Sequence, residues 1–184
     1  MDQRDGQEYE WIEIGDQVWM AENLNYELED DDVGNDWCYE NHSSNCETYG
    51  RLFDWAAVMQ GENSSNSNPS GVQGVCPDGW HVPSNEEWKE FEMDLGMSQS
   101  EANTTGPRGT NEGSKLAGDA SIWKSGNLTD NSEFGVSGFT ALPGGYRFGN
   151  GYFSSIGNNG FWWSSTEYSS AYTWLRGLRY SYSG

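Results

Sequence analysis

The sequence predicts a single α+β domain over residues 1–184, with two helices, small antiparallel sheets and extensive loops. Three observations predict it. Strand formers flank a Gly15-Asp16 turn near the N-terminus. Two stretches then carry apolar residues at spacings of three and four. From Phe139 onward, alternating segments are separated by glycine turns. The length suits one domain with a substantial core.

Residues 7–20 read as a hairpin. Tyr9, Trp11, Ile12 and Ile14 are strand formers, and Val18-Trp19-Met20 begins the return strand. Residues 27–36 are acidic and loop-like. A solvated loop is the favoured reading and a Ca²⁺ site the sharper one, although the pattern does not match an EF-hand. Tyr49–Met59 reads as a helix with Leu52, Trp55, Ala56 and Met59 on one face, and 60–74 as a flexible loop. Pro77-Asp78-Gly79 is a turn and Trp80–Val82 a short strand. Ser84 and Glu87 form a capping-box pattern that opens a helix at 85–95, with Trp88, Phe91 and Leu95 inward and Gly96 as its stop. Residues 97–137 read as loop, with one helical turn at 115–117 and Trp123 as an anchor. Residues 139–142 form the next strand, and turns follow at 149–151 and 157–160.

Hydrophobic residues make up only 34% of the chain, but it has ten Trp and ten Tyr, so a few large rings must build the core. The 24 glycines fit a large share of turn and loop. A net charge of −20 disfavours nucleic acid and anionic membrane surfaces as partners. No apolar run approaches the roughly 20 residues of a membrane span, and Met1-Asp-Gln-Arg does not read as a signal peptide. Cys38 and Cys46 flank a short polar loop. That suits a local disulfide better than a zinc site and leaves Cys76 over, expected buried and slow to react.

Several motifs occur together and in order: Arg4-Asp-Gly-Gln, Ile14-Gly-Asp-Gln-Val-Trp-Met-Ala-Glu-Asn-Leu-Asn-Tyr26, Cys38 and Cys46, Tyr49-Gly-Arg-Leu-Phe-Asp-Trp55, Cys76-Pro-Asp-Gly-Trp-His-Val-Pro-Ser84, Leu142-Pro-Gly-Gly-Tyr-Arg147 and Trp162-Trp-Ser-Ser-Thr-Glu167. Taken together they resemble the Fibrobacter succinogenes major paralogous domain from about residue 4 to the end. The resemblance implies a C-type-lectin-like fold with a loop-rich ligand surface. It also implies an extracellular setting, at a cell or virion surface. Some members are variable proteins of diversity-generating retroelements, mutagenised in their C-terminal segment. Members usually continue through another strand ending near a cysteine. This chain stops at Gly184, which implies that Cys76 stays a free thiol.

From Tyr172 the even positions are large: Tyr172, Trp174, Arg176, Leu178 and Tyr180. The odd positions follow no packing logic. A strand sends successive side chains to opposite faces. Trp162, Trp163, Trp174, Arg176, Leu178 and Tyr180 are therefore expected in the scaffold. Arg176 should be buried against a carboxylate such as Asp54 or Glu167, or against backbone carbonyls. Thr173, Leu175, Gly177, Arg179, Ser181 and Tyr182, with Tyr168 and Ser169, are expected on a displayed face that Phe148, Tyr152 and Ser154 could extend. Tyr, Ser, Gly and Asn are paratope residues.

The expected function is a ligand-binding display module for a protein or glycan on a cell surface, without membrane insertion. It needs no cofactor, apart from the Ca²⁺ alternative. A structural or adhesive surface domain is the second reading, and an enzyme on fibre polysaccharide is less favoured. Neither His42 nor His81 has a nucleophile and an orienting group in its pattern. No carboxylate pair is marked out for glycoside hydrolysis. Formylglycine-generating enzymes share the lectin-like fold but use a reactive cysteine pair, and Cys38 and Cys46 lie in the wrong part of the chain for that.

Overall fold

The Gly15-Asp16 turn joins β1 (Trp11–Ile14) to β2 (Gln17–Met20), as the alternation predicts, in a computed structural model that describes residues 1–184. Downstream come β3 (Asp36–Trp37), a 3₁₀ turn (Tyr39–Asn41), α1 (Ser43–Tyr49), β4 (Leu52–Phe53) and α2 (Trp55–Met59). Then come α3 (Asn85–Asp94), α4 (Gln99–Ala102), α5 (Glu112–Leu116), β5 (Tyr146–Arg147), β6 (Phe153–Ser154), β7 (Asn159–Ser169) and β8 (Tyr172–Arg179). The strands pair as four two-stranded sheets, each joining a strand to its partner in the order β1-β2, β3-β4, β5-β6 and β7-β8. The architecture is mixed α and β with small antiparallel sheets. It has five α-helices where the sequence predicts two. No helix is long and apolar enough to cross a membrane.

The chain divides into two compact units. The first comprises Met1–Tyr9, Leu24–Trp88 and Trp162–Arg176. The second comprises Glu10–Asn23, Lys89–Phe161 and Gly177–Gly184.

In the first unit the predicted helix at 49–59 is helical only over α2, because α1 ends at Tyr49 and β4 comes between. Gly50 ends α1, donating its N–H to the Cys46 carbonyl at 2.9 Å. Leu52-Phe53 pairs with β3, and α2 starts afresh at Asp54, whose carboxylate accepts the Ala57 N–H at 2.9 Å. Asp54 also receives the Asn35 side-chain amide at 2.8 Å, so one residue caps α2 and holds the acidic stretch. Elsewhere in that stretch, Asp32 accepts the Glu29 N–H, and Asp36 pairs with Arg51. Cys38 and Cys46 form a disulfide joining the start of the 3₁₀ turn to α1. Near the N-terminus, buried Asp2 takes the guanidinium of Arg4, which also lies 3.7 Å from the Tyr26 ring centre and donates to the Val75 carbonyl.

Residues 60–74 are irregular but pinned, contrary to a flexible loop. Val72 accepts the Val82 N–H at its carbonyl, and Val75 donates to Val58. Val72 joins Val58, Met59 and Val82 in a buried cluster packed by Phe53, Trp55, Cys76 and Trp163. The expected strand at 80–82 is absent because its bonds go to this loop. Cys76 is unpaired. The residue is half-buried where buried was expected, but its thiol packs against this cluster, and burial pushes its pKa up to about 12.

The capping box at the start of α3 is present as predicted: Ser84 Oγ accepts the Glu87 N–H at 3.1 Å, and Glu87 Oε2 accepts the Ser84 N–H at 2.9 Å. The same carboxylate takes the Ser70 N–H at 3.0 Å, and Glu87 Oε1 lies 2.6 Å from His81 Nε2.

In the second unit Trp19, Phe91 and Phe139 form a ring cluster, with centroids 4.4 to 6.1 Å apart. The span 97–137 contains two helices: α5, which the expected turn at 115–117 meets at Lys115 and Leu116, and α4, which low hydrophobicity conceals. A Ser98–Glu101 capping box begins α4. Buried Ser114 donates from α5 to the Leu128 carbonyl at 2.9 Å. Trp123 is buried, as an anchor should be, and its indole donates to the Ala141 carbonyl at 3.2 Å. The expected strand at 139–142 shrinks to one bridge, Ala117↔Ala141.

Two predictions follow from the first unit. Burial pushes the Glu87 carboxyl up, but the hydrogen bonds from His81, Ser84 and Ser70 outweigh it and hold its pKa below the ordinary 4.5. The hydrogen bond to Glu87 lifts His81 above 6.5, against a smaller opposing effect of burial. Glu87 therefore stabilises above its ordinary value and loses this as pH falls. His81 stabilises below its ordinary value and loses this as pH rises through its raised pKa. Thermal melts should show the pair contributing most between about pH 4.5 and 6.5. His81→Gln should remove the decline on the alkaline side. Separately, Cys38→Ser/Cys46→Ser should lower unfolding free energy by about 2.5 kcal/mol in denaturant titration.

Candidate ligand-binding face

Strand β7 is fixed by its Trp-Trp-Ser-Ser-Thr segment. Trp163 donates its indole N–H to the Phe53 carbonyl at 2.8 Å. Trp55 donates to the Ser164 carbonyl at 3.0 Å, and Trp88 to the Trp163 carbonyl at 3.3 Å. Ser164 and Ser165 are fully buried. Thr166 Oγ1 donates to the Ser65 carbonyl at 2.7 Å and accepts the Asn85 N–H at 2.9 Å. Polar residues can be buried here because each finds a partner.

Beyond Thr166 burial ends. Residues 167–169 of β7 are exposed, the two-residue turn Ser170-Ala171 follows, and β8 returns. Along β8 the alternation is clear: Arg176 and Leu178 are buried, whereas Leu175, Gly177 and Arg179 are exposed. Arg176 donates to Asn85 Oδ1 at 3.1 Å and to the Asn85 carbonyl at 3.5 Å, with its guanidinium 6.0 Å from the Trp88 ring centre. Of the expected partners, a backbone carbonyl, that of Asn85, takes the guanidinium together with the Asn85 amide oxygen, while Asp54 caps α2.

Four of the ten expected ligand positions lie in the first unit: Tyr168, Ser169, Thr173 and Leu175. They belong to the end of the β7–β8 hairpin. Tyr168 is 66% exposed and meets Trp174 edge to face at 5.0 Å, Leu175 is 41% exposed, and Thr173 is half-buried. Tyr172 joins them. The sequence places it on the core-facing side, yet it is 70% exposed, because the strand extends past the core at this end. Its closeness to the Ser170-Ala171 turn is the signal that could have found it.

The other six lie in the second unit: Phe148, Tyr152, Gly177, Arg179, Ser181 and Tyr182. Phe148 and Tyr152 are exposed at the β5–β6 turn, and Phe148 packs edge to face on Tyr146 at 4.8 Å. Arg179 and Ser181 are exposed. Tyr182 has a structural bond: its hydroxyl donates to the Gly109 carbonyl at 3.1 Å. Phe161 lies over Gly177, so a Cβ there would come within 2.9 Å of the ring. Position 177 therefore offers backbone rather than a side chain.

No group of three or more His, Cys, Asp or Glu side chains is arranged to hold a metal ion.

Fold and face together describe a small α+β scaffold whose last hairpin is locked at one end and bare at the other. The chain belongs to the Fibrobacter succinogenes major domain family, matched over residues 12–183. No curated protein matches it, and no solved structure does.

The face assignment makes a prediction. Arg176→Ala leaves Asn85 without its donor and opens a void, and should cost about 2–4 kcal/mol. Arg179→Ala should cost no more than about 0.5 kcal/mol. Chemical denaturation of the two variants side by side checks the difference.

Proposed function

We propose that this chain is a ligand-binding display module with a C-type-lectin-like scaffold, working at a cell or virion surface on a protein or glycan ligand. The observation that carries the reading is the change of character along one hairpin. Ser164, Ser165, Thr166 and Arg176 are buried and bonded, while Tyr168, Ser169, Tyr172 and Leu175 stand in solvent. Exposed Tyr beside small polar residues supplies rigid contact area at low entropic cost, as in paratopes. An exposed side chain whose contacts stay within the hairpin can change without changing the fold. That property suits the C-terminal variation of retroelement-diversified family members. Arg179, Ser181, Phe148 and Tyr152 enter the reading as further variable positions.

The module binds and does not catalyse. His81, the histidine of the Trp-His-Val-Pro motif, is engaged with the capping carboxylate of α3.

The test is a double variant, Tyr172→Ser/Leu175→Ser. Its melting free energy should stay within about 1 kcal/mol of the parent, since both side chains are exposed. Capture on glycan arrays and on displayed protein libraries should identify ligands for the parent that this variant loses by at least about tenfold. Unfolding of the variant, or undiminished capture by it, would refute the reading. Sequencing the source locus for a reverse transcriptase beside a near-identical template repeat tests the diversification part separately.

A further inference from the structure

The β1–β2 hairpin, wholly within the second unit, has an outer face that neither the ring core nor the proposed binding face uses. Residues paired across an antiparallel ladder project to the same side. The register Trp11↔Met20 and Glu13↔Val18 therefore places these four side chains together, while Ile14 and Trp19 turn inward and are buried. On the outer side Trp11 is 57% and Val18 53% exposed, with Met20 half-buried beside them. Exposed apolar residues grouped on one rigid face mark interaction surfaces. Trp is enriched among the residues that carry binding energy, and Met adapts to varied partners.

The charges of the hairpin itself all have one sign. From Glu10 to Asn23 the ionisable side chains are Glu10, Glu13, Asp16 and Glu22, with no Lys or Arg. Glu13 stands in the strip itself. At its open end the Glu22 carboxylate accepts the Glu10 N–H at 3.3 Å. At the turn end Asp94 lies so close that a Cβ on Gly15 would meet its Oδ2 at 1.8 Å, whereas Glu90 accepts from the Gln17 side chain at 3.3 Å on the inward side shared with Ile14. Partial burial, and then the charges of Glu90 and Asp16, hold the Asp94 carboxyl above its ordinary pKa. Carboxylates thus bracket an apolar strip at both ends and interrupt it in the middle.

We propose that this face docks a basic, apolar segment of a partner protein. Its apolar side chains would cover Trp11, Val18 and Met20, and its Lys or Arg side chains would meet Glu13, the Glu10–Glu22 end and the Asp16–Asp94 end. A second copy of the chain fits poorly, because each copy brings a charge of −20.

The experiment is isothermal titration of the full chain at about 150 mM salt, where surface attraction alone is largely screened. The probes are three synthetic peptides of equal length: alternating Lys-Leu, alternating Lys-Gly and alternating Glu-Leu. The Lys-Leu peptide should bind at least about tenfold more tightly than either control. Trp11→Ser/Val18→Ser should weaken it by about tenfold or more, Glu13→Lys should weaken it comparably, and Tyr172→Ser/Leu175→Ser should leave it unchanged. Thermal melts confirm that each variant is folded. If the Trp11→Ser/Val18→Ser variant is not, the Glu13→Lys variant decides. Equal binding of Lys-Leu and Lys-Gly, undiminished binding by the folded hairpin variants, or no binding of Lys-Leu would each overturn the proposal.

Discussion

Three indole N–H groups hold the strand on which the first unit is organised. Trp55 and Trp88 donate to successive carbonyls of β7, at Ser164 and Trp163, and Trp163 donates to β4. A buried indole must bond through its one donor while its ring fills space. Each of these rings therefore packs and also fixes register. With β7 so placed, Ser165 donates its backbone N–H to Pro83, and Ser65 donates to Ser165 in turn. That is how a chain poor in aliphatic residues builds a defined interior.

Much of this organisation was legible in the sequence wherever local chemistry alone decides the structure. Gly15-Asp16 makes its turn with any neighbours, the Ser84–Glu87 box needs only four residues, and period-two alternation sorts Arg176 and Leu178 from Leu175 and Arg179. Cys38 and Cys46, eight residues apart, pair within one short loop.

Distant partners hid the rest. Leu52 has helical spacing to Trp55, yet Leu52-Phe53 becomes a strand because β3 offers it a ladder. Polar composition made 60–74 look mobile, but Ser70 bonds Glu87 and Val72 fills a core position, and neither contact is encoded nearby. Tyr172 obeys the alternation rule and is exposed all the same, because the period fixes the face of a strand and not where the core beneath it stops. The burial pattern of β8 was legible in its inner part and misread at Tyr172.

Gly177 has a consequence for any population of related chains differing along β8. Its neighbours Leu175 and Arg179 project freely, but the Phe161 ring occupies the space above the glycine. Among folded survivors, residue choice should broaden at 175 and 179 and collapse to glycine between them. Phe161 should be retained together with it. A sequence alignment would then show one silent column in a diverse strand, the imprint of a ring packed against its backbone.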